Sequence, residues 1–464
     1  MRKNILFLMT DQFAYDAMGH FNSKIKTPCL DQLARESLEF TNCYSNAPLC
    51  MPARASLATG LYPQELGIDD NFCAGLTTES KTWMQRVRDA GYETSLFGKA
   101  HLHKFAPDLR DLEFQTKGYG YDIVDELPGP RTYGIKKSSY YDYLKDRNLI
   151  ECYCRDMDKR YKEGHVYNCT PTPLETKDYA DVYIADRAIE YLEQVSDDKP
   201  WFCTVGFGGP HDPWDTPKEY VDLYKDVIPP AALKAPLTLN PERPKGVYDE
   251  ILNGKYDPGL TEDIKNMTEE DIIGVRRSYY GHITLIDDQI KRIFECLEKR
   301  SMMKDTIIVF VADHGEQNGD YGLLFKQTFF ETSVRVPLMI SIPEIKGKQI
   351  ENAVELMDVG ATLCDLLGIE SDIGHAQSLI PLVENADSGK EQIVSQLFGE
   401  TMLLTDGYKA VFNKENEIYL LFNLKKDPYE SQNLAFVPEM KNIERELYSS
   451  LKKWKKSLNN VGRK

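Results

Sequence analysis

Short runs of apolar, β-branched residues recur along the chain, and stretches with helical spacing separate them. NILFLM (4–9) is apolar on both faces and bounded by polar residues, the pattern of a fully buried strand. TPCLDQLARES (27–37) reads as the helix that follows it. KTWMQRVRDAGY (81–92) predicts another helix closed by Gly91, followed by a strand at TSLFG (94–98). ADVYIADRAIEYLEQV (180–195) is a long helical pattern ahead of the strand WFCTVGF (201–207). YYGHITLIDDQIKRIFECLEKR (279–300) stands in the same relation to TIIVFVA (306–312). Alternating helices and buried strands predict an α/β domain built on a mostly parallel sheet.

The pattern changes past about residue 383. ENADSGKEQ (384–392) reads as a linker, and IVSQLF, MLLTDGYKAVFN and EIYLLFNL follow as short strands with turn residues between them. ELYSSLKKWKKSL predicts a final helix whose basic face is solvated. The division expected is a catalytic α/β domain over 1–383 and a smaller antiparallel-sheet subdomain over 384–464.

The residues that follow the four predicted strands carry the chemistry. The first strand ends in Asp11-Gln12 and the second in Lys99-Ala100-His101. The third runs into Gly209-Pro210-His211-Asp212 and the fourth into Asp313-His314-Gly315-Glu316. Ligands of open α/β sheets bind beyond the carboxyl ends of the strands. Any one polar loop is unremarkable, but these four use three of only eight histidines in the chain. Asp11, Gln12, Asp313 and His314 supply hard oxygen donors and one imidazole, a set suited to calcium, magnesium or manganese. Lys99, His101, His211 and Lys326 add cationic and proton-donating groups, which together describe a pocket for a tetrahedral oxyanion ester.

Composition narrows the partners. A net charge of −17 and a pI near 5.1 argue against nucleic acid, which calls for a basic surface. The apolar run after Arg2-Lys3 is short and has no small-residue cleavage site, and no stretch has the length of a membrane span. A cytoplasmic protein with no membrane partner is the expectation. The ten cysteines form no C-x-x-C pair and no disulfide framework, so most read as packing residues. Cys152 and Cys154 alternate as on one face of a strand.

Cys50 stands apart. Pro52 suits the start of a helix through Ala53–Ala58 that stops at Gly60, which puts Cys50 at a helix N-terminus where an anion is favoured. Arg54 lies one turn on, too close for the phosphate cradle of a cysteine phosphatase. Cys50-Met51-Pro52-Ala53-Arg54, followed by Leu57-Ala58-Thr59-Gly60, resembles the signature of the type I sulfatases of the alkaline phosphatase superfamily. The resemblance extends through NILFLMTDQ, GYETSLFGKAHLH, GGPHDPWDTP, VADHGEQNGD, LLFKQTFFETSVRVPL and EIYLLFNLKKDPYESQNLA.

That resemblance implies an alkaline-phosphatase-like sandwich with a large, mostly parallel sheet flanked by helices, plus the C-terminal subdomain. It implies a sulfuric ester hydrolase in which a maturation enzyme oxidises Cys50 to formylglycine. One hydroxyl of the hydrated aldehyde attacks sulfur, and the other expels sulfate as the aldehyde re-forms. Carried over, Asp11, Gln12, Cys50, Asp313 and His314 hold one divalent cation, calcium first and manganese or magnesium as alternatives. Arg54 and Lys99 stabilise the hydrate, His101 takes a proton in the elimination, and His211 and Lys326 contact the sulfate or leaving oxygen. Many members have aspartate where this chain has Gln12 and asparagine where it has His314. The Gln/His pair resembles the choline sulfatase and phosphonate monoester hydrolase branches, so phosphonate monoester or phosphodiester hydrolysis is the alternative. A non-catalytic binding protein on the same fold is a third reading. The substrate expected is a small sulfated molecule, a sugar foremost.

Other features carry two readings. His103 reads as a pocket-rim residue, and His282 as a packing or hydrogen-bonded one. Glu316 reads as a support for a ligand or as a helix start. The tyrosine-rich segment 103–178 reads as an aromatic insertion shaping the substrate pocket or as a stiffened surface excursion. The prolines between 229 and 258 mark a second excursion.

Overall fold

The computed structural model describes residues 3–253, 263–384 and 389–461. Its strands, in chain order, begin with β1 (Asn4–Asp11), β2 (Leu38–Tyr44), β3 (Glu93–Gly98), β4 (Ile123–Glu126) and β5 (Trp201–Pro210). They continue with β6 (Leu237–Thr238), β7 (Thr306–Ala312), β8 (Arg335–Val336), β9 (Leu338–Ser341) and β10 (Lys348–Glu355). The last are β11 (Ile393–Leu397), β12 (Glu400–Thr405), β13 (Tyr408–Phe412), β14 (Ile418–Asn423) and β15 (Gln432–Asn433).

A nine-stranded sheet runs β10-β2-β9-β7-β1-β5-β3-β4, with β8 paired to β2. The run β7-β1-β5-β3-β4 is parallel, and β9 is antiparallel to both β7 and β2. The near-continuous apolar strands are the central ones: β5 and β7 are buried along their whole length, and β1 everywhere but Asn4. Their parallel register brings the ends of β1, β3, β5 and β7 to one edge, with Gly98 opposite Gly206 and Thr10 opposite Ala312.

The helices differ from expectation at their ends. The long helix ahead of β7 spans Glu269–Lys299, starting ten residues before the predicted 279. Thr268 caps it, accepting from the amide of Asp271 and donating its own amide to the Asp271 carboxylate, a capping box written in MTEED. Cys152 and Cys154 lie on a helix, Ile150–Asp158, and not on a strand. Tyr153 and Met157 are its buried residues, and this helical spacing overrides the local alternation of the cysteines.

Much of the tyrosine-rich segment is core rather than surface excursion, while Tyr141, Tyr143, Tyr161 and Tyr167 stay partly exposed. Tyr119, Tyr121, Tyr133, Tyr140 and Tyr153 are buried in the main core. Tyr133 and Tyr140 pack edge to face at 5.3 Å, and the Tyr140 hydroxyl donates to the Asp178 carbonyl at 2.8 Å. The proline-rich excursion ties the two parts of the molecule together, since β6 pairs with β15 and the amide of Val247 donates to Glu400 on β12. Pro258 lies outside the described residues.

β11 to β14 form the expected antiparallel sheet, with the helix Lys441–Val461 after it. Residues 385–388 of the predicted linker lie outside the described residues. Lys390, just beyond them, is clamped between the carboxylates of Glu355 and Asp358. The small sheet shares a core with the large domain: Met402, Val411 and Tyr419 pack with Tyr44, Leu49 and Phe330. The Lys409 ammonium, wholly buried, bonds Glu331 at 2.9 Å and also Glu430.

Candidate active site

The helix Cys50–Thr59 begins at Cys50 itself, two residues ahead of the predicted start, and ends at Gly60 in the left-handed region (φ 69°). Pro52 falls in the first turn, where a missing amide costs nothing. Leu49 cannot cap the helix, and the amide of Met51 donates instead to the Asn71 side chain at 2.9 Å. Every residue of the helix is buried. Its approach is pinned by the small sheet, because the Asn46 backbone carbonyl accepts from the Gln396 amide at 2.8 Å and the Asn46 side-chain nitrogen donates to the Val394 carbonyl at 3.3 Å.

One ligand atom from each of Asp11, Cys50, Asp313 and His314 lies within 4.8 Å of the others, and all four residues are buried. The Cys50 sulfur is 3.1 Å from His314 Nε2 and 3.7 Å from Asp11 Oδ1. His314 Nδ1 faces the Gly315 carbonyl at 3.0 Å, which assigns the ring proton to Nδ1 and leaves the Nε2 lone pair toward the cluster. Burial disfavours charge on His314, yet Asp313 and Cys50 hold its pKa above the ordinary value, and the same negative surroundings would favour a metal ion at Nε2 in place of a proton. Two carboxylates, an imidazole and the group at position 50 therefore fit a divalent cation.

Gln12 adjoins the cluster with its backbone in the left-handed region (φ 67°), and its amide donates to Asp313 Oδ1 at 3.1 Å. Its side-chain oxygen accepts from Lys326 and its side-chain nitrogen donates to Glu316. Glu316 is thus a support beneath Gln12 rather than the start of a helix. Burial raises its carboxyl to about 8, against amide bonds from Asn318 and Phe325.

Cationic groups surround the carboxylates. Arg54 Nε bonds Asp313 Oδ2 at 2.7 Å and Arg54 Nη1 bonds the Lys99 carbonyl at 2.9 Å. The Lys99 ammonium bonds Asp11. Burial and the charge of Cys50 push the Asp11 carboxyl up, but Lys99, His211 and Arg54 outweigh them and hold it at about 2. Burial likewise opposes ionisation of Cys50, and Lys326, Lys99 and His314 overcome it, keeping the thiol well below its ordinary range. Buried Arg54 Nη2 and His101 Nδ1 have no hydrogen-bond partner.

His101 stacks on Phe105 with centroids 4.5 Å apart, and its backbone is left-handed (φ 52°). Burial, aided by the Lys99 charge, lowers its pKa and favours the neutral ring. His211 Nδ1 faces the Asp212 carbonyl at 2.6 Å, and its Nε2 faces the Lys326 ammonium at 2.6 Å. All the predicted site residues therefore meet at the strand ends. His103 does not rim the pocket: it is buried, 3.3 Å from Glu126, and Glu126 accepts the His101 amide at 3.2 Å. His282 is the packing residue expected, bonded at 2.7 Å to Asp181, which accepts the Gly208 amide ahead of His211.

Asn71, Asp212 and Arg131 also build the site and were missed. Asp212 follows His211 in the quoted motif, whereas nothing local marks Asn71 or Arg131.

Residues 3–369 match the Sulfatase family, and residues 319–457 match the family described as N-sulphoglucosamine sulphohydrolase, C-terminal. A choline-sulfatase of Rhizobium meliloti (strain 1021) is 30% identical over 454 residues, 94% of this chain and 83% of the relative. Among solved structures, the phosphonate monoester hydrolase of Agrobacterium radiobacter superposes with a TM-score of 0.79 at 24% identity, over 98% of this chain and 96% of its own. A protein solved in complex with its substrate D-glucosamine-2-N,6-O-disulfate superposes with a TM-score of 0.74 at 21% identity, over 99% of each chain.

Proposed function

The chain belongs to the sulfatase family and is a sulfuric ester hydrolase, and from that premise we propose that it cleaves the sulfate monoester of a small organic molecule, a sulfated sugar foremost, at Cys50. The observation that carries this reading is the convergence of Cys50 with Asp11, Asp313 and His314 in one buried cluster ringed by Arg54, Lys99 and Lys326. The reading takes Cys50 to be oxidised to formylglycine by a maturation enzyme, which gives position 50 a hydrated aldehyde as its source of nucleophilic oxygen.

Asp11, Asp313, His314 and position 50 would hold the cation, with the Gln12 oxygen beside them; calcium is the first choice, manganese or magnesium the others. When bound, the cation polarises a sulfate oxygen and makes the nucleophile more acidic. The protein groups do the rest. Arg54 is fixed by Asp313 and the Lys99 carbonyl, so it meets developing negative charge without reorganising. Neutral His101 accepts a proton from position 50. His211 and Lys326, hydrogen-bonded to each other, protonate the leaving oxygen and neutralise the sulfate in this reading.

Comparing kcat/KM for aryl and sugar sulfates with that for a phosphodiester and a phosphonate monoester, at saturating metal, tests the reading. Sulfate turnover is expected to lead, and faster phosphodiester or phosphonate hydrolysis would overturn it in favour of the alternative. Titrating chelated protein with calcium, manganese or magnesium tests the cation. A hundredfold excess over Kd should stabilise the fold by about 2.7 kcal/mol, read as a rise in Tm that Asp313→Asn abolishes. Equal Tm with and without all three ions counts against a cation site.

A further inference from the structure

The segment after β4 runs Leu127-Pro128-Gly129-Pro130-Arg131 across the site. A Cβ added to Gly129 would lie 3.4 Å from Lys99 Nζ, which sets this loop directly against the catalytic cluster. Arg131 is held there from two sides. Its Nε donates to Asp212, a wholly buried carboxylate that also accepts from the Tyr161 hydroxyl at 2.9 Å. Its guanidinium lies 4.8 Å from the Phe325 ring centroid and 5.5 Å from that of Tyr161. Asp212 follows His211 and Phe325 precedes Lys326, so Arg131 is anchored to the chain neighbours of the two groups assigned to the leaving oxygen.

The rest of the side chain faces outward. It is 42% exposed, and neither terminal nitrogen donates to a protein acceptor among the described residues. An exposed arginine normally samples many rotamers, and fixing one has an entropic cost. That cost is already met here by a buried carboxylate and two aromatic rings. Balancing the charge of Asp212 occupies Nε alone and leaves the planar fork open. Such a fork, rigid and unpaired, matches two oxygens of a carboxylate or sulfate.

We propose that Arg131 recognises a second anionic group on the substrate, so that the preferred organic sulfates carry a carboxylate or a further sulfate on the alcohol. The proposal rests on the sulfate-ester reading of the site. It is tested with phenyl sulfate and the sulfate esters of the isomeric hydroxybenzoic acids, on the holoenzyme and on Arg131→Gln and Arg131→Lys. The quantity read is the ratio of kcat/KM for the best carboxylated ester to that for phenyl sulfate, and comparing this ratio between wild type and variant cancels differences in leaving group.

Arg131→Gln should reduce this ratio about 10–100-fold, mainly through KM, with Arg131→Lys recovering part of it. A ratio unchanged within about twofold would overturn the proposal, whether both rates fall together or neither moves. If the wild type hydrolyses none of the sulfates, the proposed function fails on its own account. The same ratio is then read from calorimetric dissociation constants on Cys50→Ala protein with and without Arg131→Gln.

Discussion

Cys50→Ala should lower sulfate-ester kcat/KM by at least about 10⁴-fold while the protein stays folded. The residue-50 side chain is the one at the helix start placed against both His314 and Asp11, so among the described residues no neighbour can replace position 50 as the source of the nucleophile. Alanine preserves the helix and removes only a small buried atom, so circular dichroism and Tm should change little. Arg54, Lys99 and Lys326 remain to bind the ester, and the loss should appear in kcat with KM nearly intact. Activity above about one per cent of wild type would show that position 50 is not the nucleophile. Intact mass of protein from its native host adds an independent reading, because an unmodified thiol in fully active enzyme would remove formylglycine from the mechanism.

Lys409→Met should cost about 3–5 kcal/mol of stability, the effect of stripping the counter-ion from a buried pair. Lys409 is fully buried and is bonded to both Glu331 and Glu430. Burial already raises the Glu430 carboxyl to about 7, with Lys409 the first group opposing it. Without that ammonium its folded pKa rises further above the unfolded value. A raised carboxyl means that the folded state binds the proton more tightly, so stability falls as pH rises from the unfolded pKa through the folded one. The loss on Lys409→Met should therefore be smallest near pH 5 and largest above pH 7. Urea unfolding at both values checks this, and a loss under about 1 kcal/mol at pH 8 would show that water reaches the two carboxylates.

The lysine matters beyond stability because it locks the small sheet to the wall behind the nucleophile. Leu49 packs in that shared core, and Asn46 is hydrogen-bonded to Val394 and Gln396 of β11. The stretch NAPLC, read in isolation, shows a helix start and a reactive position. It does not show that residues 350 positions away hold it in place.

What could be read from the chain alone was whatever depends on short range. Apolar runs on both faces identify buried parallel strands, because only a sheet covered on both sides tolerates them. The polar residues after those runs identify the site, because parallel strands must all deliver their ends to one edge. Asp11, Lys99, His101, His211, Asp313 and His314 follow from that rule, and the helix-start pattern with Arg54 adds Cys50. Local cues also misled where a wider period governs, as at Cys152 and Cys154, whose alternation is subordinate to the buried face set by Tyr153 and Met157.

The tertiary structure decided how those groups are partnered. Pairing of Lys326 with His211, support of Gln12 by Glu316, and burial of His103 against Glu126 join residues far apart in the chain. So does the seat of Arg131 between Asp212 and Phe325. Sequence patterns record which face of an element is buried, since burial is a property of each residue in turn. They do not record which buried polar group answers which, because that depends on distances set only when the sheet, the insertion and the small sheet close on one another.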